Sequence, residues 1–193
     1  MNREVVQNGD SRLKATNKPI IDFDNPDFKR IINDLVDTMR SNDLIGIAAP
    51  QIGKNLRVFV TEPRETETRT GDQTDKLRVY INPEIVKFSK EKSLIWEGCG
   101  SYRKSSVFGP VERPKEITIE ASDSNDKRFS FTCDGILARV IQHEYDNLNG
   151  IEFVDRMDSI DDLKSKEYYL NEIKNRTEII EASIITKKEL KEL

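Results

Sequence analysis

The stretch from Asp134 to Gly150 most narrows what this chain can fold into. Ile136, Leu137, Val140, Ile141 and Leu148 recur at helical spacing, Asp134 stands where a helix opens, and Asn149-Gly150 stands where one stops. Most of what precedes it reads as strand. Leu56 to Val60, Arg78 to Ile81, Glu84 to Phe88, Val107 to Glu112, Ile117 to Ala121 and Phe129 to Thr132 are short β-rich runs. ASDSNDK separates the last two as a turn, and TEPRETETRTGDQTD is a polar exposed loop without periodicity. One earlier helix is predicted over Asp24 to Arg40. Asp24 or Asn25 caps it, Pro26 suits its first turn, and Phe28, Ile31, Ile32, Leu35, Val36 and Met39 form its apolar stripe. From Asp158 onward the chain is charged and helical in pattern, giving a long, variable surface helix that frays at KKELKEL. With no internal repeat and no low-complexity linker, residues 1–193 read as one α+β domain, long enough to bury a full core.

Charge and composition exclude several classes. The formal net charge is −4, with basic residues scattered among acidic ones, so no nucleic-acid footprint is present. The longest mostly apolar stretch, Leu44 to Ala49, is far short of the roughly 20 residues that span a bilayer. MNREVVQNGD lacks the basic start and apolar run of a secretory signal. Two cysteines, Cys99 and Cys133, are too few for a disulfide framework, so a reducing cytoplasm is the expected location. There a single thiolate can serve as a ligand or a nucleophile.

Three short segments carry chemistry. Gln142-His143-Glu144-Tyr145-Asp146-Asn147 lies on the second helix. In the zinc-hydrolase pattern HExxH, two His four residues apart share one helix face and bind one metal, with the Glu beside them as general base. Here the first His and the Glu are in place, and Asn147 stands where the second His belongs. Taken alone, such a pair is more often a packed imidazole and a solvated carboxylate. Glu97-Gly98-Cys99-Gly100-Ser101 offers a thiolate on backbone that can approach a ligand closely, or simply a small buried side chain at a strand turn. Gly46-Ile47-Ala48-Ala49-Pro50-Gln51 combines small residues for close packing with one amide side chain.

In this order, GIAAPQ, EGCGS and QHEYDNLNG resemble the three signature motifs of the peptide deformylase family. QNGDSRLK near the start, VERPKEITIEASDSNDKRF and ARVIQHE are similar to family sequence too, so the resemblance spans about residues 5 to 157. It implies the deformylase α+β architecture: mixed or antiparallel sheets wrapped around a central metal-binding helix, with an extended peptide bound partly by strand addition. It also implies one divalent metal, iron(II) natively, with zinc, nickel or cobalt as alternatives. Cys99 and His143 would be ligands, with position 147 as the third. Glu144 would move the proton, while Gln51 and the backbone N–H of Gly100 stabilise the oxyanion. Ile45, Gly46 and Gly98 would receive the peptide. The implied partners are N-formylated nascent peptides, with the C-terminal helix either a ribosome contact or a solvated face, and the protein a monomer away from membranes and nucleic acid.

The sequence departs from the family pattern at three places. Leu44 replaces the first Gly of GxGxAAxQ, and Gly100 replaces a Leu common in bacterial members. Asn147 replaces the second His, and the chain's single His leaves no other imidazole to take its place. A carboxamide oxygen is a weaker donor than imidazole toward iron or zinc. Asp146 and Arg139 are expected to be structural. The implied function is therefore removal of the N-formyl group from the initiator methionine of new polypeptides, with weakened activity. The alternative is a catalytically impaired homologue that binds nascent peptides, whether natural or deliberately altered.

Overall fold

The computed structural model describes the 193-residue chain except residues 67, 68 and 70. Its first helix, α1 (Pro26–Ser41), begins where Asn25 accepts a hydrogen bond from the Asp27 N–H with Pro26 at the first position. There follow β1 (Gly46–Ala48), β2 (Val58–Thr61), β3 (Arg78–Phe88), β4 (Lys92–Glu97), β5 (Val107–Pro114), β6 (Glu116–Ser122) and β7 (Arg128–Asp134). The chain then forms α2 (Gly135–Leu148), β8 (Lys164–Ser165), the one-turn α3 (Lys166–Tyr168), α4 (Thr177–Ser183) and β9 (Lys188–Glu192). A six-stranded sheet has the order β1-β2-β3-β6-β7-β9, and a three-stranded sheet the order β4-β5-β8. Neighbouring strands in both are antiparallel, so the α+β expectation holds.

Strand alternation puts helices on both faces of the first sheet. Ala48, Phe59 and Tyr80 point toward α2 and pack with Leu137 and Ile141, whereas Ile47, Val58, Val60 and Ile81 point toward Leu35 and Met39 of α1. Phe59 and Tyr80 stack at 4.6 Å between ring centroids. Helix α2 is consequently enclosed on nearly all sides, with Arg139, Gln142, His143, Glu144, Asp146 and Asn147 buried alongside its apolar residues.

Four local expectations are corrected. The separate runs at 78–81 and 84–88 form the single strand β3, whose register slips between Ile81 and Glu84. Asn82 sits at φ 50° in that irregularity and clamps Ile20 from both sides, accepting its N–H at 2.8 Å and donating to its carbonyl at 2.7 Å. GIA, read from its small residues only as a close-packing segment, is strand β1; KSLIWE, whose pattern predicts no element, is strand β4. Asp134 occupies the N-cap position of α2, yet its carboxylate accepts the N–H groups of Thr186 and Lys187 at 2.8 and 2.9 Å instead of capping the helix. The loop between β2 and β3 is present where the structure describes it, while residues 67, 68 and 70 of that expectation lie outside the described residues.

The fourth correction concerns the C-terminal region, which is not one long helix. Ser159 and Ser165 accept backbone N–H groups two and three residues on, starting new turns and interrupting any continuous helix. The β-branched run Ile184-Ile185-Thr186 then favours extended backbone and feeds β9 onto β7. All five β9 residues are exposed, and its Lys and Glu side chains are a usual protection for an edge strand. The charge pattern that reads as a solvated helix suits a solvated edge equally well.

Gly135 joins this tail to α2. It adopts φ +59°, and a Cβ there would fall 2.1 Å from the carbonyl oxygen of Ile184. Gly135→Ala is therefore expected to cost on the order of 2–3 kcal/mol, from left-handed strain plus displaced backbone. Urea unfolding measures the cost, and hydrogen exchange should show residues 188–192 losing protection before the centre of α2. An unchanged midpoint would mean that the tail does not depend on this contact.

Candidate active site

His143 lies on α2 with its Nδ1 2.9 Å from Oε2 of Glu97, the last residue of β4. Glu97 is buried and receives Arg113 through both ends of its guanidinium, Nε at 2.7 Å and Nη2 at 3.0 Å, and Arg139 at 2.8 Å. Burial pushes the Glu97 carboxyl up, but Arg113 and His143 outweigh it and hold the group well below the usual carboxylate range. An ionised Glu97 accepts the Nδ1 proton and sets the ring's orientation, leaving Nε2 for a partner across the site. Arg113 also reaches Asp146 at 2.5 Å, and Asp146 accepts Arg156 at 2.7 and 3.0 Å. Arg139 and Asp146 thus serve as structural residues, and every charge in this buried network has a counter-charge. Such networks fix geometry more than they add stability, because removing one member leaves an unpaired buried charge.

Across from Glu97, the sulfur of Cys99 pairs with His143. Burial works against charge on the imidazole. The Cys99 sulfur, Glu97 and Glu144 overcome it and raise the proton affinity of His143 well above that of ordinary histidine. A position ringed by a sulfur and two carboxylates favours a cation, whether a proton or a metal. Glu144 is buried too, and burial raises its carboxyl to about 7, with His143 and an Asn147 hydrogen bond opposing the rise.

Gln51 is oriented by backbone. The Ala48 N–H donates to its Oε1 at 2.7 Å, so its amino group must face Cys99 Sγ, 3.5 Å away, and Ser101 Oγ, 3.3 Å away. That orientation fixes Asn147 in turn. Its Nδ2 donates to Gln51 Oε1 at 3.3 Å and to Glu144 Oε2 at 3.1 Å. Turning the carboxamide over would set oxygen against oxygen at both places, at about 1–3 kcal/mol each.

Close approach explains the glycines. A Cβ on Gly46 would fall 2.6 Å from Val140 and 2.8 Å from Glu144, and one on Gly98 would fall 2.8 Å from the Phe108 ring. A Cβ on Gly100 would meet Leu44 at 2.9 Å. The two sequence departures at 44 and 100 are therefore one packing arrangement, in which the Leu44 methyls occupy the space beside a bare position 100.

A cavity of about 400 Å³ brings together Ile45, Gly46, Gln51, Gly98, Cys99, Gly100, His143 and Glu144, all predicted as site residues. Asn147 is not on its wall. It lies behind Gln51 and Glu144, facing a small recess it shares with Cys99 and Ser101. For a metal, the sulfur of Cys99 and the imidazole of His143 fit a divalent ion of borderline softness. Asn147 has its amino group committed to two oxygens, so only its carbonyl oxygen is left for a metal, a weaker donor than the imidazole expected at that place in the motif. Among the described residues no three His, Cys, Asp or Glu side chains are placed to hold a metal. The sequence reading missed Glu97 and Arg113 as the support of His143. The only available signal was a carboxylate two residues before Cys99.

The polypeptide deformylase family model matches residues 2–163. A peptide deformylase of Treponema pallidum subsp. pallidum is 38% identical over 150 residues, 78% of this chain and 85% of that relative. Among solved structures, the Met-Ala-Ser-bound class I type b peptide deformylase from Acinetobacter baumannii is similar with a TM-score of 0.75 at 29% identity. The match covers 81% of this chain and 99% of that one. The peptide deformylase from Thermotoga maritima is similar with a TM-score of 0.72 at 31% identity, over 82% and 99% of the two chains.

Proposed function

This chain belongs to the polypeptide deformylase family, and from that premise we infer that it is a hydrolase removing the N-formyl group from nascent polypeptides. The observation that carries the reading is the convergence of Gln51, Cys99, His143 and Glu144 on one cavity. In that cavity the Gln51 amino group and the Gly100 N–H donate to the formyl oxygen as negative charge grows on it. Glu144 takes a proton from the water that adds to the formyl carbon and passes it to the departing amine, so that the C–N bond breaks and formate leaves. A carboxyl raised to about 7 by burial suits both directions of that transfer. Glu97 keeps the His143 ring in register throughout.

The family is metal-dependent. Cys99 and His143 are the residues that would hold the ion, and iron(II), zinc, nickel and cobalt all suit a sulfur–imidazole pair. When bound, it supplies Lewis-acid activation of water and carbonyl. The peptide would lie extended between two sheet edges that border the cavity, β1 through Gly46 and β4 through Trp96 and Glu97.

The direct test is formate release from formyl-Met-Ala-Ser by protein reconstituted in turn with iron(II), cobalt, nickel and zinc. Release is expected with at least one metal, at a rate that Cys99→Ala abolishes. No release with any of the four overturns the reading.

A further inference from the structure

The segment beyond residue 163 lies outside the family match, yet it walls the distal part of the active-site cavity. The Tyr169 ring stacks on Phe108 at 4.3 Å and 6° and faces Trp96 at 6.3 Å. Phe108 itself packs on Gly98, beside Cys99. Aromatic contact thus ties this segment to the loop that carries the site sulfur. The turn that starts at α3 brings Lys166 and Lys174 to the same cavity, and Arg69 reaches it from the loop between β2 and β3.

Among the described residues these three cations are poorly neutralised. The Arg69 guanidinium donates to the Arg64 carbonyl at 3.0 Å, which positions it without removing its charge. Among the described residues the carboxylate acting on both Arg69 and Lys174 is Asp43, which also pairs with Arg64 at 3.6 Å. Burial lowers the proton affinity of Lys174, and repulsion from Arg69 and Lys166 lowers it further, against Asp43. Burial likewise lowers that of Arg69. Like charges gathered at one end of a peptide-sized cavity are relieved by an anionic group on what enters it.

We propose that Arg69, Lys166 and Lys174 form a cationic wall selecting N-formyl peptides with acidic side chains at the second or third residue. The inference rests on the deformylase reading and extends it to substrate class. The peptides formyl-Met-Glu-Glu-amide, formyl-Met-Gln-Gln-amide and formyl-Met-Lys-Lys-amide test it, because amidation removes the terminal carboxylate that could stand in for a side chain. At low ionic strength kcat/KM should fall in that order, by about tenfold or more from first to last, and the spread should shrink in high salt. The double variant Lys166→Glu, Lys174→Glu should reverse the order. Equal values for the three peptides, or an order unchanged in the variant, would overturn the proposal.

Binding provides a readout independent of turnover. Trp96 is the only tryptophan and lines the cavity, so its fluorescence reports the Kd of the unformylated peptides. Met-Glu-Glu-amide should bind about tenfold tighter than Met-Lys-Lys-amide. Indistinguishable affinities, or binding of neither, sink the proposal. Acid-selective binding without any formate release would instead overturn the deformylase reading and leave this one standing.

Discussion

Asn147→His raises both metal occupancy and formate release, each by at least about 10- to 100-fold. That factor is the usual cost of disturbing even the partners of a metal ligand, and position 147 stands in the motif where a ligand belongs. The geometry sharpens the expectation. Asn147 turns two donor hydrogens toward Gln51 and Glu144, so that it presents the Glu144 carboxyl with an amino group and leaves a metal only a carbonyl oxygen, a weaker donor than imidazole. An imidazole at 147 replaces a donor by a lone pair. Gln51 keeps its orientation after the exchange, because the Ala48 N–H at 2.7 Å holds it independently. Metal per protein by elemental analysis and initial rates on formyl-Met-Ala-Ser give the two readouts. Equal values for the parent and the variant would show that a carboxamide suffices and that the third protein ligand is dispensable here.

Glu144→Gln lowers kcat by about 10²- to 10⁴-fold, the range for loss of a positioned proton-transfer group. The variant keeps shape and keeps an oxygen for the Asn147 bond, so a drop in rate cannot be ascribed to collapse. Stability provides the control. The Glu144 carboxyl is raised from 4.5 to about 7 in the fold. Its contribution to stability is fully present below about pH 4.5 and is lost as pH rises through about 7. A glutamine has no such loss. Above pH 7 the variant should therefore unfold at the same urea concentration as the parent or a higher one, while turning over far less substrate. An inactive variant that is also less stable at pH 8 would point to a structural role for the carboxylate.

Much of the site was legible because its chemistry is written in short, contiguous segments. GIAAPQ, EGCGS and QHEYDN each place their residues on one local element, and the fold has only to bring three elements together. What holds the site was less legible. Arg113 supports His143 through Glu97 from another strand of the smaller sheet, and that contact leaves no spacing signature in the chain. The fold shows the same division. Helices α1 and α2 follow their apolar periods closely, because burial of one stripe decides them. The C-terminal segment misled because Lys and Glu at close intervals suit an exposed edge strand as well as an exposed helix. The choice fell to Ile184-Ile185-Thr186 and to Asp134, fifty residues earlier. The role of Asp134 was the hardest to read. A residue well suited to cap a helix is taken up by the tail instead.

Leu44 and Gly100 together limit how the sequence can drift. Installing leucine at 100 while Leu44 remains obliges the Leu44 methyls to move aside, and trimming Leu44 alone widens the cavity that it lines. Residues in direct contact couple, so the two changes are expected to be non-additive in a double-mutant cycle. Scored position by position, Leu44 and Gly100 are two unrelated oddities; in the fold they share one space and make a single coupled trait.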